Sequence, residues 1–283
     1  MILSWAMSIL RVSTPLIFAS LGGLMSERSG VINIALEGLM LIGAFTAAVV
    51  ALMTHSPYLG LMAAIVAGAL GGLFYAFCVL KLKANQIISG TAINLLAMGM
   101  IPLILKILYG STGATPNLEM NERFLSFPLV LLVFICALIF ALFKYTHLGL
   151  WISFSGEHPD ALESAGISSD KIRWFALTCS GILASIGGAS VSIYLSSGYS
   201  RNMIGGRGFM SLAAMILGRW RPKTTVLACL FFGLCDVIQM RLQSANLSIA
   251  LPTQLIQIIP YLMTLIVLTG LVGKSIAPKA LGK

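Results

Sequence analysis

"SERSGVINIALEGLMLIGAF", residues 26–45, sets an amide, Asn33, and a carboxylate, Glu37, at the head of a long apolar run. From Gly38 to Leu80 the chain has no Asp, Glu, Lys or Arg, and the same holds for 84–105, 124–143, 174–200 and 242–273. A hydrocarbon core about 30 Å thick takes roughly 20 apolar helical residues. Each stretch therefore holds one membrane span, and the first, broken at "THSPYLG" (54–60), holds two. The apolar character is continuous, whereas strands of a membrane barrel would alternate.

Composition agrees. The 283 residues are 58% hydrophobic and 10% charged, with a mean hydropathy of +0.96, outside the range of soluble domains. We read helices over about 3–24, 31–53, 59–80, 85–109, 126–144, 171–196, 207–218, 224–243 and 253–273. The expectation is an all-α polytopic membrane bundle, one domain over 1–283, of about nine spans with 207–218 conspicuously short. The first apolar stretch lacks a basic leader and runs into further spans, so no cleavable signal is expected. The five cysteines (78, 136, 179, 229, 235) fall inside apolar spans without metal-ligand spacing and read as small core residues.

A net charge of +9 could point to nucleic acid, but the basic residues sort by loop. With the 145–170 loop in the cytoplasm, twelve of the eighteen Lys and Arg fall on that side, among them Arg28, Lys81, Lys144, Arg173, Arg219 and Lys274. The positive-inside rule then places the N-terminus outside and the C-terminus in the cytoplasm, and no nucleic-acid partner is expected.

The chain also repeats itself. "GVINIALEGL" from Gly30 aligns with "GFMSLAAMIL" from Gly208, so that Ala35 meets Ala213, Leu39 meets Leu217 and Asn33 meets Ser211. The spans before the two segments, 3–24 and 171–196, run in opposite directions in this threading. An inverted repeat of this kind builds two gates around one central site.

The longest polar loop, 146–174, holds four of the nine acidic residues. Pro159 suits a first helical position, Asp160 and Glu163 lie near the positive end of the helix dipole, and Gly166 can take the left-handed conformation that ends a helix. A two-turn helix in the cytosol follows, with Ser168, Ser169 and Asp170 as capping groups for the next span. Its simplest use is to dock a cytosolic partner; the alternative is a solvated loop.

"SGVINIALEGLMLIGAF", "ANQIISGTAINLLAMG", "GEHPDALESAGI" and "GGRGFMSLAAMILGRWRP" together resemble the permeases of bacterial ABC importers in the branched-chain amino acid, simple sugar and nucleoside group. The wording "NQIISG" and "GRGF" is most similar to the nucleoside branch, associated with basic membrane lipoproteins. The resemblance covers nearly the whole chain and implies a type II-like importer fold in the bacterial cytoplasmic (inner) membrane. It further implies cytosolic ABC ATPase subunits, a second permease (identical or paralogous) and an extracytoplasmic solute-binding lipoprotein as partners, and no cofactor in this subunit. The polar loop, about 146–172, then resembles the coupling segment that enters a cleft of the ATPase. The family's Glu-Ala-Ala-x-x-x-Gly appears as Asp160, Ala161, Leu162 and Gly166, preceded by Gly156, Glu157 and Pro159, with Glu163 between. The acid is shortened and the second Ala enlarged.

On a helix, Asn33 and Glu37 share one face, and an acid in hydrocarbon must be paired or face water. Glu37 either borders the solute pathway or pairs with Arg11. Asn33 and Asn94, with Gln86 and Ser89 in the fourth span, supply donors and acceptors for a polar solute, and Ser211 lines the opposite half; hydrogen bonding between helices is the alternative for each. Asp236, Gln239 and Arg241 form a further polar cluster nearer the outer face, read as an internal salt bridge, with a gate or docking surface as the alternative.

Catalysis is not expected. "GLVGKS" (270–275) has Leu268 where a phosphate loop needs its first Gly, and His55, His147 and His158 lack a metal or nucleophile pattern. The expected function is the pathway-forming permease of an ATP-driven nucleoside importer. Simple sugars or branched-chain amino acids are alternative solutes. An ion-coupled secondary transporter, with Glu37 or Asp236 as proton carrier, is the competing class, though it has no use for a cytosolic coupling helix.

Overall fold

The chain folds as packed helices. The structure, a computed structural model, describes residues 2–244 and 277–282, so the expected ninth helix (253–273) and the Gly-Lys-Ser beside it lie outside the described residues. The elements are α1 (Ile2–Arg28), α2 (Leu36–Thr54), α3 (Pro57–Ala76), α4 (Gln86–Tyr109), α5 (Phe127–Tyr145), α6 (His147–Glu157), α7 (Pro159–Ser164), α8 (Ser169–Ser190), α9 (Arg207–Leu217) and α10 (Pro222–Ser244). Two π-helical turns, Phe77–Lys81 and Val191–Leu195, prolong α3 and α8. Among the described residues seven helices, α1 to α5, α8 and α10, are long and apolar enough to cross a membrane, and α9 is the short one expected at 207–218.

Two boundaries differ from the sequence expectation. α2 starts at Leu36 rather than 31, because Gly30 turns the chain at φ +96° and residues 31–33 stay non-helical. The polar loop also holds α6, an eleven-residue helix whose Gly149, Ile152, Ser155 and Gly156 form a buried stripe. Thr146 caps it by accepting from the Gly149 N–H at 3.2 Å. Its Gly and Ser content disguised it as loop, yet those small residues let it lie flat against the ends of α1 and α8. Beyond it, Ser168 takes the N-cap position of α8 without a side-chain cap bond, while Ser169 bonds to Ser155 instead.

The core is built on α1, α2 and α8. In the membrane-spanning window of α8, 83% of residues are buried, against 22% in α5, so α5 stands at the edge of the bundle. α1 and α8 are antiparallel: Gly22 lies against Ser180 to Ala184, and Gly187 against Pro15 to Ala19. α9 and α10 pack on α1, as α2 and α3 pack on α8. α2 follows the direction of α8 through the contacts Asn33 to Ser180 and Leu39 to Ser185. α9 follows α1 through Ser20 to Ser211 and Gly23 to Met215. The chain is therefore an inverted repeat of three-helix units, α1-α9-α10 answering α8-α2-α3. Its register is corrected: the helix starts Leu36 and Arg207 correspond, not Gly30 and Gly208, so Asn33 has no counterpart in Ser211.

Lipid tails are as apolar as the side chains, so helix association in a bilayer relies on close packing of small residues and on interhelical hydrogen bonds. The α2–α8 contact does both. Ser185 donates to the Leu39 carbonyl at 2.9 Å. A Cβ on Gly188 would collide with the Met40 backbone, and one on Gly43 with that of Ser185. Gly99 on α4, by contrast, has nothing within 4 Å of where a Cβ would sit. Gly188→Val should destabilise the detergent-solubilised protein by about 1–3 kcal/mol or more, the range for overpacking, while Gly99→Ala leaves the melting midpoint unchanged. Equal midpoints for the two variants would refute this account of the core.

Candidate functional site

The polar residues singled out in the sequence gather where the two halves meet. After the Gly30 turn, Asn33 closes a local turn by accepting from the Ala35 N–H at 3.0 Å and donates through Nδ2 to Ser180 Oγ at 2.8 Å. It is not on the helix with Glu37, because its own side chain competes with helical pairing at this position. Gln86 Oε1 accepts from the Ile32 N–H at 2.8 Å, and the Tyr75 hydroxyl donates to the Ile32 carbonyl. Asn94 straddles the start of α2: its Oδ1 accepts from the Gly38 N–H at 2.7 Å and its Nδ2 donates to the Ile34 carbonyl at 2.9 Å. Ser89 lies on the same buried face of α4 as Ile93 and Asn94.

Glu37 answers the question its position raised. Its carboxylate accepts from the Gly206 N–H at 2.8 Å and the Gly208 N–H at 2.6 Å, the free donors at the start of α9. The carboxylate of one repeat thus caps the helix of the other, where the dipole favours negative charge and charged acceptors make the stronger hydrogen bonds. Gly208 permits the approach, since a Cβ there would stand 2.5 Å from the Glu37 nitrogen. The expected alternative partner, Arg11, lies 4.9 Å from the Tyr194 ring centroid as a cation–π pair. Ser211, fully buried, donates at 2.8 Å to the Arg207 and Gly208 carbonyls, and its own carbonyl accepts from Ser20. Arg207 interacts electrostatically with Glu37 and with Asp236. Asp236 thus feels the Arg207 guanidinium on α9, while Arg241, its expected partner, stacks 4.2 Å over Trp5.

This girdle separates two cavities. One, of about 550 Å³, opens towards the α7 end and is bordered by Ile32, Lys83, Gln86, Asp170 and Arg173. The other, of about 420 Å³, lies in the half away from α7, between Leu41, the Met98–Pro102 stretch of α4 and the turn Tyr199–Asn202. Gln86 and Met98 are twelve residues apart on one helix, about 18 Å at 1.5 Å per residue. Tyr199, Arg201 and Asn202 were missed in the sequence; the Gly99 and Pro102 pair inside an otherwise unbroken span was the available signal.

The coupling candidates form an elbow joined to the same girdle. α7 starts at Pro159 and is closed by Gly166 at φ +81°, as its sequence predicts. Leu162 is its buried anchor, while Glu157, Asp160, Ala161 and Glu163 are exposed. Gly156 packs on the Arg28 carbonyl and the Gly30 nitrogen. Arg173 donates to the Ser29 carbonyl at 3.2 Å and the Ser155 carbonyl at 3.3 Å. The end of the chain closes the joint: the Ala280 N–H donates to Gly156 and the Gly282 N–H to Gly30. Only Val31 and Ile32 separate this joint from Asn33.

The family model described as branched-chain amino acid transport system / permease component matches residues 5–268. The chain is 36% identical to the guanosine ABC transporter permease protein of Bacillus subtilis, over 95% of this chain and 92% of that one. It is also 36% identical, with the same coverage, to the nucleoside ABC transporter permease protein of Lactococcus lactis subsp. cremoris. A solved metal-chelate type ABC transporter in an inward-facing conformation superposes with a TM-score of 0.54 at 18% identity, covering 93% of this chain and 85% of that one.

Glu37→Gln keeps one acceptor and turns an amide NH₂ towards N–H donors. We expect a loss of about 1–3 kcal/mol, the cost of an unsatisfied buried group, read as a lower melting midpoint in detergent. A midpoint equal to wild type would show that the carboxylate does not hold the two repeats together.

Proposed function

The chain belongs to the branched-chain amino acid transport system / permease component family, and from that premise we propose that it forms the pathway by which an ABC importer takes up nucleosides. It is a multi-pass membrane permease of an ABC transporter, working with an ABC ATPase and a substrate-binding partner. Membership of this family also removes the ion-coupled secondary transporter from consideration.

Nucleosides are supported by one observation above the rest, the 36% identity along 95% of the chain to relatives named for guanosine and nucleosides. The girdle fits a neutral amphipathic solute, since Asn33, Gln86, Ser89, Asn94 and Ser211 offer hydroxyl and amide groups among apolar walls. In our proposal these residues form, with Glu37, the constriction between the two cavities, and they exchange partners as the pathway opens while Glu37 keeps its bonds to α9. A second permease, identical or paralogous, completes the pathway, and an extracytoplasmic lipoprotein delivers the solute. The membrane is the bacterial cytoplasmic membrane, with the N-terminus outside and the C-terminus on the side of α7. The subunit itself performs no catalysis; ATP is hydrolysed by its partner.

In the proposed mechanism α7 receives the stroke. Asp160, Ala161 and Glu163 face outwards to enter the ATPase, and Leu162 fixes the helix to the bundle. ATP binding moves α7 as a rigid body. The Gly156–Gly30 joint carries that displacement into the segment leading to Asn33 and α2. Gly166 has open space around it, so a side chain there acts through conformation alone: a left-handed non-glycine residue costs about 1–2 kcal/mol. Gly166→Val should leave the protein in the membrane and ATP turnover active while uptake of labelled nucleoside falls at least about tenfold. Unchanged uptake in vesicles holding the whole importer would remove α7 from the mechanism.

A further inference from the structure

Resting on the assignment of nucleosides above, we infer that the cavity away from α7 is a selecting subsite for nucleosides whose base presents a ring nitrogen and a carbonyl oxygen side by side, as 6-oxopurines do. Its volume of about 420 Å³ lies within the range of roughly 300–1,000 Å³ typical of small-molecule sites.

One wall is a break in α4. Pro102 has no N–H, so the Met98 carbonyl four residues earlier loses its helical partner. Gly99, with no neighbour within 4 Å of its missing Cβ, leaves that carbonyl uncovered. A backbone acceptor at membrane depth is tolerated where it lines a polar cavity. The opposite wall is the turn at Arg201 and Asn202, the latter left-handed at φ +60°. That turn is held by a short ribbon: the Arg201 N–H donates to Gly113 at 2.6 Å, the Thr115 N–H to Tyr199 at 3.0 Å and the Leu118 N–H to Ser197 at 2.8 Å. Tyr199 is buried, edge-on to Phe45 at 5.6 Å, and burial pushes its hydroxyl up to about 12, so it stays a neutral support. Arg201 is exposed, and no carboxylate lies within ion-pair distance of it among the described residues.

A guanidinium presents two parallel N–H groups that match two adjacent acceptors, and in guanine and hypoxanthine those are N7 and O6. The N1–H on the neighbouring edge of such a base would donate to the Met98 carbonyl. Asn202 has both a donor and an acceptor for the ribose. The exposed Met98 side chain supplies an apolar contact for the ring. Uracil and thymine carry a proton on the ring nitrogen between their carbonyls, so they lack an adjacent acceptor pair and leave the Arg201 fork half satisfied.

The test uses cells carrying the whole importer, with guanosine and 7-deazaguanosine as probes; the second lacks only the N7 acceptor. We expect wild type to import guanosine about tenfold better than 7-deazaguanosine, in line with loss of one bidentate contact. Arg201→Lys should bring that ratio close to one through loss of guanosine import. The delivery partner is the same in both strains, so a change in ratio belongs to this chain. Gly99→Leu, which fills the cavity from a position with free space, should depress import of both probes at equal amounts of membrane protein. A wild-type ratio of one, the same ratio in Arg201→Lys, or full import by Gly99→Leu would overturn the subsite while leaving nucleoside transport standing. A wild type that imports no nucleoside would overturn the assignment itself, and the subsite with it.

Discussion

One carboxylate joins the helix starts of the two repeats. α2 and α9 start head to head inside the bundle, and each start leaves backbone N–H groups without helical partners. In a bilayer no water is at hand to satisfy them, and each unsatisfied group costs several kcal/mol. Glu37, on the first turn of α2, satisfies two donors of α9, while Asn94 satisfies Gly38 on α2. The two solutions are unlike: a charged acceptor serves one repeat and a neutral amide the other. The inverted symmetry of the helices is therefore broken where their two starts meet.

From this joint the rest of the architecture follows. α2 and α9 start inside the bundle, and the segments leading into them border the two cavities, Val31 and Ile32 the one and Tyr199 to Asn202 the other. The segments leading into α2 and α9 must be irregular, and each has its glycines: Gly30 before the first, Gly205 and Gly206 before the second, all at positive φ. Irregular backbone at this depth is allowed only where protein or a polar cavity surrounds it. Both segments meet that condition.

Most of the fold was legible because spans are set by hydrocarbon thickness, which continuous apolar runs record directly. Helices α1, α3, α4, α5, α8, α9 and α10 fall within a few residues of the sequence expectation. α6 was not legible, since a helix of Gly, Ser and aromatic residues packed flat on helix ends has neither span length nor a strong polar face. The site was half legible. Polar residues in apolar spans singled out Asn33, Glu37 and Asn94 as candidates, but their partners were not readable, because Gly206 and Gly208 contribute backbone groups and backbone donors leave no mark on composition. The repeat was recognisable and its register was not: a leading Gly drew the alignment to Gly30 and Gly208, although only the latter lies within its helix.

The bonds of the girdle differ in strength in a way that suits a moving part. Interhelical hydrogen bonds between neutral groups in membranes average about 0.6 kcal/mol, because partners are available in any arrangement. Asn33 to Ser180, Gln86 to Ile32 and Asn94 across the start of α2 are of this kind, and the segment they hold is the one joined through Gly30 to the α7 elbow. The two bonds of Glu37 are charge-assisted, roughly twice as strong, and end on the other repeat. In the proposed mechanism a stroke arriving from α7 meets weak, exchangeable contacts first and the strong one last. On that proposal the neutral amides change partners while Glu37 keeps α2 and α9 together, and the two halves rock about a fixed point instead of separating.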